Sequence, residues 1–231
     1  MKPEFWVESW DREGSATSFH RPDIHPFLPA YLPPEQLRGK RVLVPLCGKT
    51  NDLRWFADHA EHVIGVELVD KAIEQFFAEQ QMPFAKHGDR YEAERLTLLN
   101  RDIFTLTPED VGRIDLVYDR AALVALPLPM RLRYVDAIDQ LLDPGARQLV
   151  ITLEYAPTMA TPPFSIAPDE MRDYFAAGYR VEHVAGPERP EHRMIPKFGL
   201  SFLREHAFLL TKSAAPFALE SVPFDAELQA V

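Results

Sequence analysis

"KRVLVPLCGKT", residues 40–50, is the stretch on which the fold turns. An unbroken apolar run ends in Pro45, Leu46, Cys47, Gly48, Lys49 and Thr50. Such a run, bounded by turn residues, reads as a buried strand. The residues after it decide what the strand end holds. "CGKT" is similar to the end of a phosphate loop, G-x-x-x-x-G-K-[ST]. That motif needs glycine five positions before Gly48, where this chain has Leu43, so its amides cannot wrap a phosphate in the usual way. Cys47 could serve as a nucleophile if a helix N-terminus and Lys49 lowered its pKa. A free cysteine is more commonly a small buried hydrophobe.

The text on either side supplies the frame. "NDLRWFADHA" places Leu53, Phe56, Ala57 and Ala60 at helical spacing, with Thr50 or Asn51 as cap. "HVIGVEL" is a second strand, and "DKAIEQFFAEQ" a helix capped by Asp70 with Ile73, Phe76 and Phe77 inward. "RLTLLNRDIF" and "RIDLVYDRAALVALP" give strands three and four. "PMRLRYVDAIDQLLDPG" is a helix with Pro129 near its start and Pro144-Gly145 as its stop. "RQLVITLEY" is a fifth strand, "APDEMRDYFAAG" a helix beginning near Pro168, and "YRVEHVAG" and "REHAFLLTK" the last two strands. Alternating strands and helices predict parallel βαβ units in a doubly wound sheet. No helical pattern separates the last two strands, so the final one is expected to run antiparallel.

At one edge of such a sheet the strand ends bind ligands. Glu67 closes the second strand, about 20 residues beyond the glycine turn, where an acid accepts ribose hydroxyls in dinucleotide folds. A carboxylate is an acceptor only and can take both protons of a diol. Asp102 follows the third strand and Asp119 lies at the fourth. A pyrophosphate would require G-x-G-x-x-G, and this turn has one glycine among Pro45, Leu46 and Cys47. The turn is poor for NAD and acceptable for a ligand without phosphates. S-adenosylmethionine is such a ligand, with a diol, an adenine, an amino acid and a sulfonium that an indole face can stabilise.

Composition narrows the class. The 231 residues fit one large domain. A single cysteine cannot make an internal disulfide, in keeping with a reducing, cytoplasmic compartment. "MKPEFWVESWDREG" has acids and tryptophans where a signal peptide has an apolar core. No apolar run reaches the ~20 residues of a membrane span. A net charge of −10 argues against nucleic acid as ligand. No C-x-x-C or H-x3-H spacing suggests a metal. Residues 1–38 are rich in aromatics and prolines, with Trp6 and Trp10 spaced to share a helix face. After Lys212, residues 213–231 lose all periodicity and are expected to be mobile.

The loop "VLVPLCGKT", the strand end "VIGVEL", and "WVESWDREGSATSFH", "YDRAALVALP", "TLEY" and "PPFSI", in this order, strongly resemble the thiopurine S-methyltransferases of bacteria. The resemblance spans roughly residues 5–212. It implies a class I methyltransferase fold with a seven-stranded, mostly parallel sheet and an antiparallel last strand. It implies S-adenosylmethionine as methyl donor and an aromatic or heterocyclic thiol as acceptor. By the same resemblance Trp10, Leu46, Glu67 and Arg120 hold the cofactor and Asp102-Ile103 contact its adenine. Residues 1–38 form a lid over the site, where Phe19 faces the acceptor and His20 follows it. Arg120 also serves the acceptor side. A second substrate-side arginine lies in "GPERPEHRMIPKFG": Arg193, with Arg189 the other position its spacing allows. Thr161 stands where the family often has glycine, in a loop near the acceptor. Methyl transfer to a heteroaromatic thiol needs positioning more than acid–base chemistry, so no catalytic nucleophile is expected. The expected partner is a small-molecule thiol alone, and the expected state a monomer. The rival acceptors are another small thiol, a halide, or a selenium or tellurium species.

Overall fold

The computed structural model describes residues 3–11, 21, 23–214 and 217. Its centre is formed by the strands the sequence predicts. β1 (Arg41–Pro45), β2 (His62–Glu67), β5 (Leu96–Asn100), β6 (Leu116–Arg120) and β7 (Arg147–Ala156) run parallel. β1, β2 and β6 are buried almost without interruption, as strands covered on both faces must be. β9 (Phe202–Lys212) inserts antiparallel between β7 and β8 (Tyr179–Ala185). The last strand therefore runs as expected, although a one-turn helix, α9 (Met194–Phe198), precedes it.

Among the described residues the sheet has nine strands, not seven, in the order β3-β4-β5-β2-β1-β6-β7-β9-β8. The two additional ones, β3 (Ala85–His87) and β4 (Arg90–Ala93), make an antiparallel hairpin at the edge. They escape periodicity because β3 is exposed throughout and so has no alternation to read. Their signal was the Gly88-Asp89 pair, a two-residue hairpin turn with Gly88 at φ +64°.

Helices cover both faces. One face carries Leu28 and Leu37 of α2 (Phe27–Tyr31) and α3 (Pro34–Leu37), Phe56 of α4 (Asp52–His59), and Phe76 and Phe77 of α5 (Asp70–Gln80). The other is packed by Val111 of α6 (Pro108–Val111), Tyr134, Val135 and Ile138 of α7 (Leu128–Gln140) and Met171 and Tyr174 of α8 (Pro168–Phe175). The apolar positions expected of α4 and α5 are all buried. The cap of α4 is where the sequence places it, and that of α5 is not. Val69, not Asp70, is the N-cap of α5, and Asp70 instead accepts from Tyr91 Oη and Lys86 Nζ across to β3 and β4. Asn51 is the N-cap of α4, its Oδ1 accepting from Gln80 Nε2 at 2.7 Å rather than from the helix's own amides, while Thr50 Oγ1 accepts from the Asp52 amide.

Before the sheet, α1 (Pro3–Trp10) ends with Trp10 packed against Val69 and Ala72. Beyond Lys212, Phe217 packs edge-on against Tyr179, with ring centroids 5.7 Å apart. No helix among the described residues is long and apolar enough to cross a membrane.

Candidate functional site

β1 and β6 are neighbours whose chains continue in opposite directions across the sheet, through β2 and β5 on one side and β7 on the other. At such a switch point the loops diverge and leave a crevice. A cleft of about 240 Å³ opens there, floored by the ends of β1, β2 and β6 and the turn after β5. Of the residues expected to hold the cofactor, Trp10, Leu46, Glu67, Asp102, Ile103 and Arg120 all line it. Six positions spread over 111 residues of sequence meet because each sits at or just beyond a strand end or on the helix laid across those ends.

The turn after β1 is tightly constrained. Leu46 has φ +47° and Ala121, after β6, φ +75°. Non-glycine residues in this region are strained, and such strain collects where a backbone must present itself to a ligand. Gly48 also has a positive φ, and a Cβ on it would lie 2.8 Å from the Trp10 ring. Glycine here lets the indole lie directly on the turn, so one side of the cleft is closed by α1. Trp6 lines the same cleft, so both tryptophans share the helix face their spacing predicts.

Glu67 is 6 % exposed. Its Oε2 accepts from the Gly48 amide at 2.9 Å and its Oε1 from the Val69 amide at 2.8 Å. Burial pushes its pKa up to about 7, against the lowering effect of those amides. Each carboxylate oxygen can accept twice, so the group keeps acceptor capacity beyond these backbone amides. That arrangement suits a vicinal diol. Asn100 Nδ2 donates to the Glu67 and Leu68 carbonyls at 3.2 and 2.9 Å, tying the ends of β2 and β5 together under the acid. At the β5 end Asp102 Oδ1 caps the turn Ile103–Thr105 through the Phe104 amide. This holds Ile103, 5 % exposed, as an apolar wall.

Arg120 reaches Thr50 Oγ1 at 3.4 Å and lies 3.8 Å from Asp52 Oδ2. Asp119, expected at this ligand edge, faces the opposite side of the sheet, since alternate residues of a strand point oppositely. Its carboxylate accepts from Tyr134 Oη at 2.7 Å and the Leu123 amide at 3.1 Å, and burial raises its pKa to about 6. Asp119 is a core anchor and no ion-pair partner for Arg120.

The residues that first draw attention in the opening stretch are structural. Cys47 is buried, and desolvation and the neighbouring Glu67 push its thiol pKa well up, so it stays protonated. Lys49 is buried in an ion pair with Glu79 of α5. Among the described residues no cluster of His, Cys, Asp and Glu could hold a metal.

On the acceptor side the picture is more dispersed. Phe19 and His20 lie outside the described residues. Arg193 is exposed at the start of α9 and does not line the cleft, and Arg189 forks onto Glu205 at 2.9 and 3.0 Å. The Thr161 loop is pinned beside the cleft, the Phe164 amide donating to the Val124 carbonyl at 2.7 Å. The sequence reading missed Asp52, Tyr118, Phe104, Met130 and Arg133, which all line the cleft. Asp52 looks like an ordinary first-turn helix acid, and Tyr118 like any strand aromatic. Neither carries a sequence signal of its place.

The family model described as Thiopurine S-methyltransferase matches residues 1–213. A thiopurine S-methyltransferase of Vibrio parahaemolyticus is 41% identical over 215 residues, covering 90% of this chain and 97% of that protein. One from Pseudomonas putida is 40% identical over 221 residues, covering 92% of this chain and 100% of its own length. Among solved structures, a Burkholderia thailandensis 1,6-didemethyltoxoflavin-N1-methyltransferase with bound 1,6-didemethyltoxoflavin and S-adenosylhomocysteine aligns with TM-score 0.56 at 21% identity, over 81% of this chain and 75% of that one. A SAM-dependent methyltransferase of Methanosarcina mazei aligns with TM-score 0.60 at 13% identity, over 83% of this chain and 99% of that one. At these identities the structural likeness concerns the fold.

Proposed function

The chain belongs to the thiopurine S-methyltransferase family, and on that premise we propose that this S-adenosylmethionine-dependent S-methyltransferase methylates aromatic or heterocyclic thiols, thiopurines among them. The observation that carries the reading is the buried Glu67 carboxylate, fixed by backbone amides and retaining acceptor capacity at the floor of the cleft.

When bound, S-adenosylmethionine supplies a methyl group already activated by a sulfonium. The chain's residues then have three tasks. Glu67 accepts the ribose hydroxyls, and Asp102 and Ile103 take the adenine. Leu46, Trp10 and Arg120 enclose and orient the remainder, Trp10 offering an indole face to a cation. Phe19 and Arg120 serve the acceptor, and α1, which closes one side of the cleft with Trp6 and Trp10, is the part of residues 1–38 that acts as its lid. Cys47 takes no part as a nucleophile, because its thiol is buried and neutral. Holding two sulfurs and a methyl in line supplies the rate enhancement, an effect on the order of 10⁵ M in effective molarity or more. One cysteine and a net charge of −10 support a cytoplasmic enzyme that acts without nucleic acid.

A panel with labelled methyl donor, 6-mercaptopurine, thiophenols and selenite tests the reading. Methylation of the heterocyclic and aromatic thiols is expected. Turnover of selenite alone would transfer the enzyme to a different soft nucleophile, and no turnover with any acceptor would leave a cofactor-binding module.

A further inference from the structure

A buried carboxylate that the site described above does not use stands directly behind Arg120. Asp52, the first residue of α4, has no exposed surface. A charge in that position is costly unless paired and hydrogen-bonded. Its Oδ1 accepts from the His25 amide at 2.9 Å. Its Oδ2 accepts from Tyr118 Oη at 2.9 Å and lies 3.8 Å from Arg120 Nη1. Thr50 Oγ1 accepts from both the Asp52 amide, at 3.3 Å, and Arg120 Nη1, at 3.4 Å. Thr50, Asp52, Tyr118 and Arg120 all line the cleft.

Two features separate this arrangement from an ordinary buried ion pair. First, the carboxylate's fixed hydrogen bonds come from Tyr118 and His25, while the guanidinium stands at ion-pair distance. Asp52 is thus held by the scaffold and in turn constrains the arginine. Second, the His25 that donates its amide is itself immobilised. Its ring nitrogen Nε2 meets Glu205 Oε1 at 3.0 Å, and Glu205 is gripped by Arg189. Asp52 therefore joins the sheet, through Tyr118, to the N-terminal segment, through His25, at the point where Arg120 enters the cleft.

We infer that Asp52 is a positioning residue. It sets the direction of the Arg120 guanidinium toward bound ligand and acts on binding only through that arginine. The inference rests on the assignment of Arg120 to the ligands made under Proposed function. Thr50 and Tyr118 complete the bracket, Tyr118 by fixing the Asp52 oxygen that faces Arg120.

A mutant cycle tests it, read as the dissociation constant of S-adenosylhomocysteine by calorimetry and KM and kcat for 6-mercaptopurine. Asp52→Asn keeps the shape and an oxygen for the His25 amide but removes the charge. It is expected to weaken by roughly tenfold the same constant that Arg120→Ala weakens, with kcat changed less than threefold. In the Arg120→Ala background Asp52→Asn should have no further effect. Fold changes that multiply in the double variant, or wild-type constants for Asp52→Asn, overturn the inference. Tyr118→Phe, which removes one hydroxyl, should shift the same constant about threefold. If Asp52→Asn fails to fold, this variant completes the cycle, and wild-type constants or multiplicative behaviour then overturn the inference. Wild-type constants for Arg120→Ala would instead sink the assignment of Arg120 itself. A normal cycle for S-adenosylhomocysteine with no turnover of any thiol would leave Asp52 in place and remove the proposed acceptor.

Discussion

Two glutamates, both almost fully buried, sit at opposite fates. Glu67, at 6 % exposure, has only backbone amides for company, and its pKa rises to about 7. Glu205, at 7 % exposure on β9, is also penalised by burial, but His25 and the guanidiniums of Arg189 and Arg21 outweigh that, and its pKa falls to about 2. The difference is chiefly one of partners, since both side chains are almost fully buried. Around Glu205 the charge is neutralised by the protein, and the region is closed. Among the described residues no cation pairs with Glu67, so the carboxylate's remaining capacity is directed at whatever enters the cleft. A binding site reads here as a place where the fold leaves a buried acceptor under-used.

The comparison can be broken at either end. The largest effect is expected on stability from Glu205→Gln, which leaves His25 and Arg189 facing a neutral amide. Loss of one partner from a buried pair costs 3–5 kcal/mol, and with Arg189 about one-third exposed we expect about 2 kcal/mol in denaturant unfolding. Affinity for S-adenosylhomocysteine should stay within threefold; a stable variant that fails to bind would dissolve the distinction. At the other end Glu67→Gln should weaken S-adenosylhomocysteine binding at least tenfold, or about 1.4 kcal/mol, by calorimetry. Unchanged affinity would remove the ribose role.

Proton linkage sharpens the contrast, because the two acids have opposite signs. Glu67 has its pKa raised on folding, so in the free protein it goes from protonated to ionised as pH rises through about 7. Ribose hydroxyls need the ionised acceptor, so binding should tighten severalfold between pH 6 and pH 8 and lose that dependence in Glu67→Gln. Glu205 has its pKa lowered, so its contribution to stability is full above the unfolded value near 4.5 and is lost as pH falls toward 2. Acid titration of Glu205→Gln by circular dichroism should therefore show a shallower decline across that interval than the wild type. The smallest effect concerns Trp10. Its ring lies on Gly48, so S-adenosylhomocysteine should quench tryptophan fluorescence, and Trp10→Phe should remove most of that signal with a several-fold loss of affinity. Quenching that survives in Trp10→Phe and is lost in Trp6→Phe would assign it to Trp6, the other tryptophan that lines the cleft.

Much of this was legible in the chain. Period and punctuation give the strands β1, β2, β5, β6 and β7 and the faces of α4 and α5, because these elements bury one continuous apolar set. The one-glycine turn and the acid after β2 give the cofactor class, because a ligand at a strand end is met by residues at fixed distances along a βαβ unit. The hairpin β3–β4 was illegible by periodicity, since an exposed edge has no buried face to alternate with. Asp119 was misplaced because spacing finds the edge of a sheet, whereas pleat decides which face each residue takes.

The opening stretch shows the same division. By itself the sequence determined that a strand ends at Pro45, that the turn cannot cradle a pyrophosphate, and that Glu67 waits on the next strand. Only the tertiary structure decided that Cys47 is an inert core thiol, that Lys49 belongs to Glu79, and that Asp52 stands behind Arg120. The physical reason is range. Turn geometry and apolar period are set by neighbours in sequence, while a side chain's charge, burial and partner are set by contacts such as the 66-residue span from Asp52 to Tyr118, which exist only once the sheet has closed.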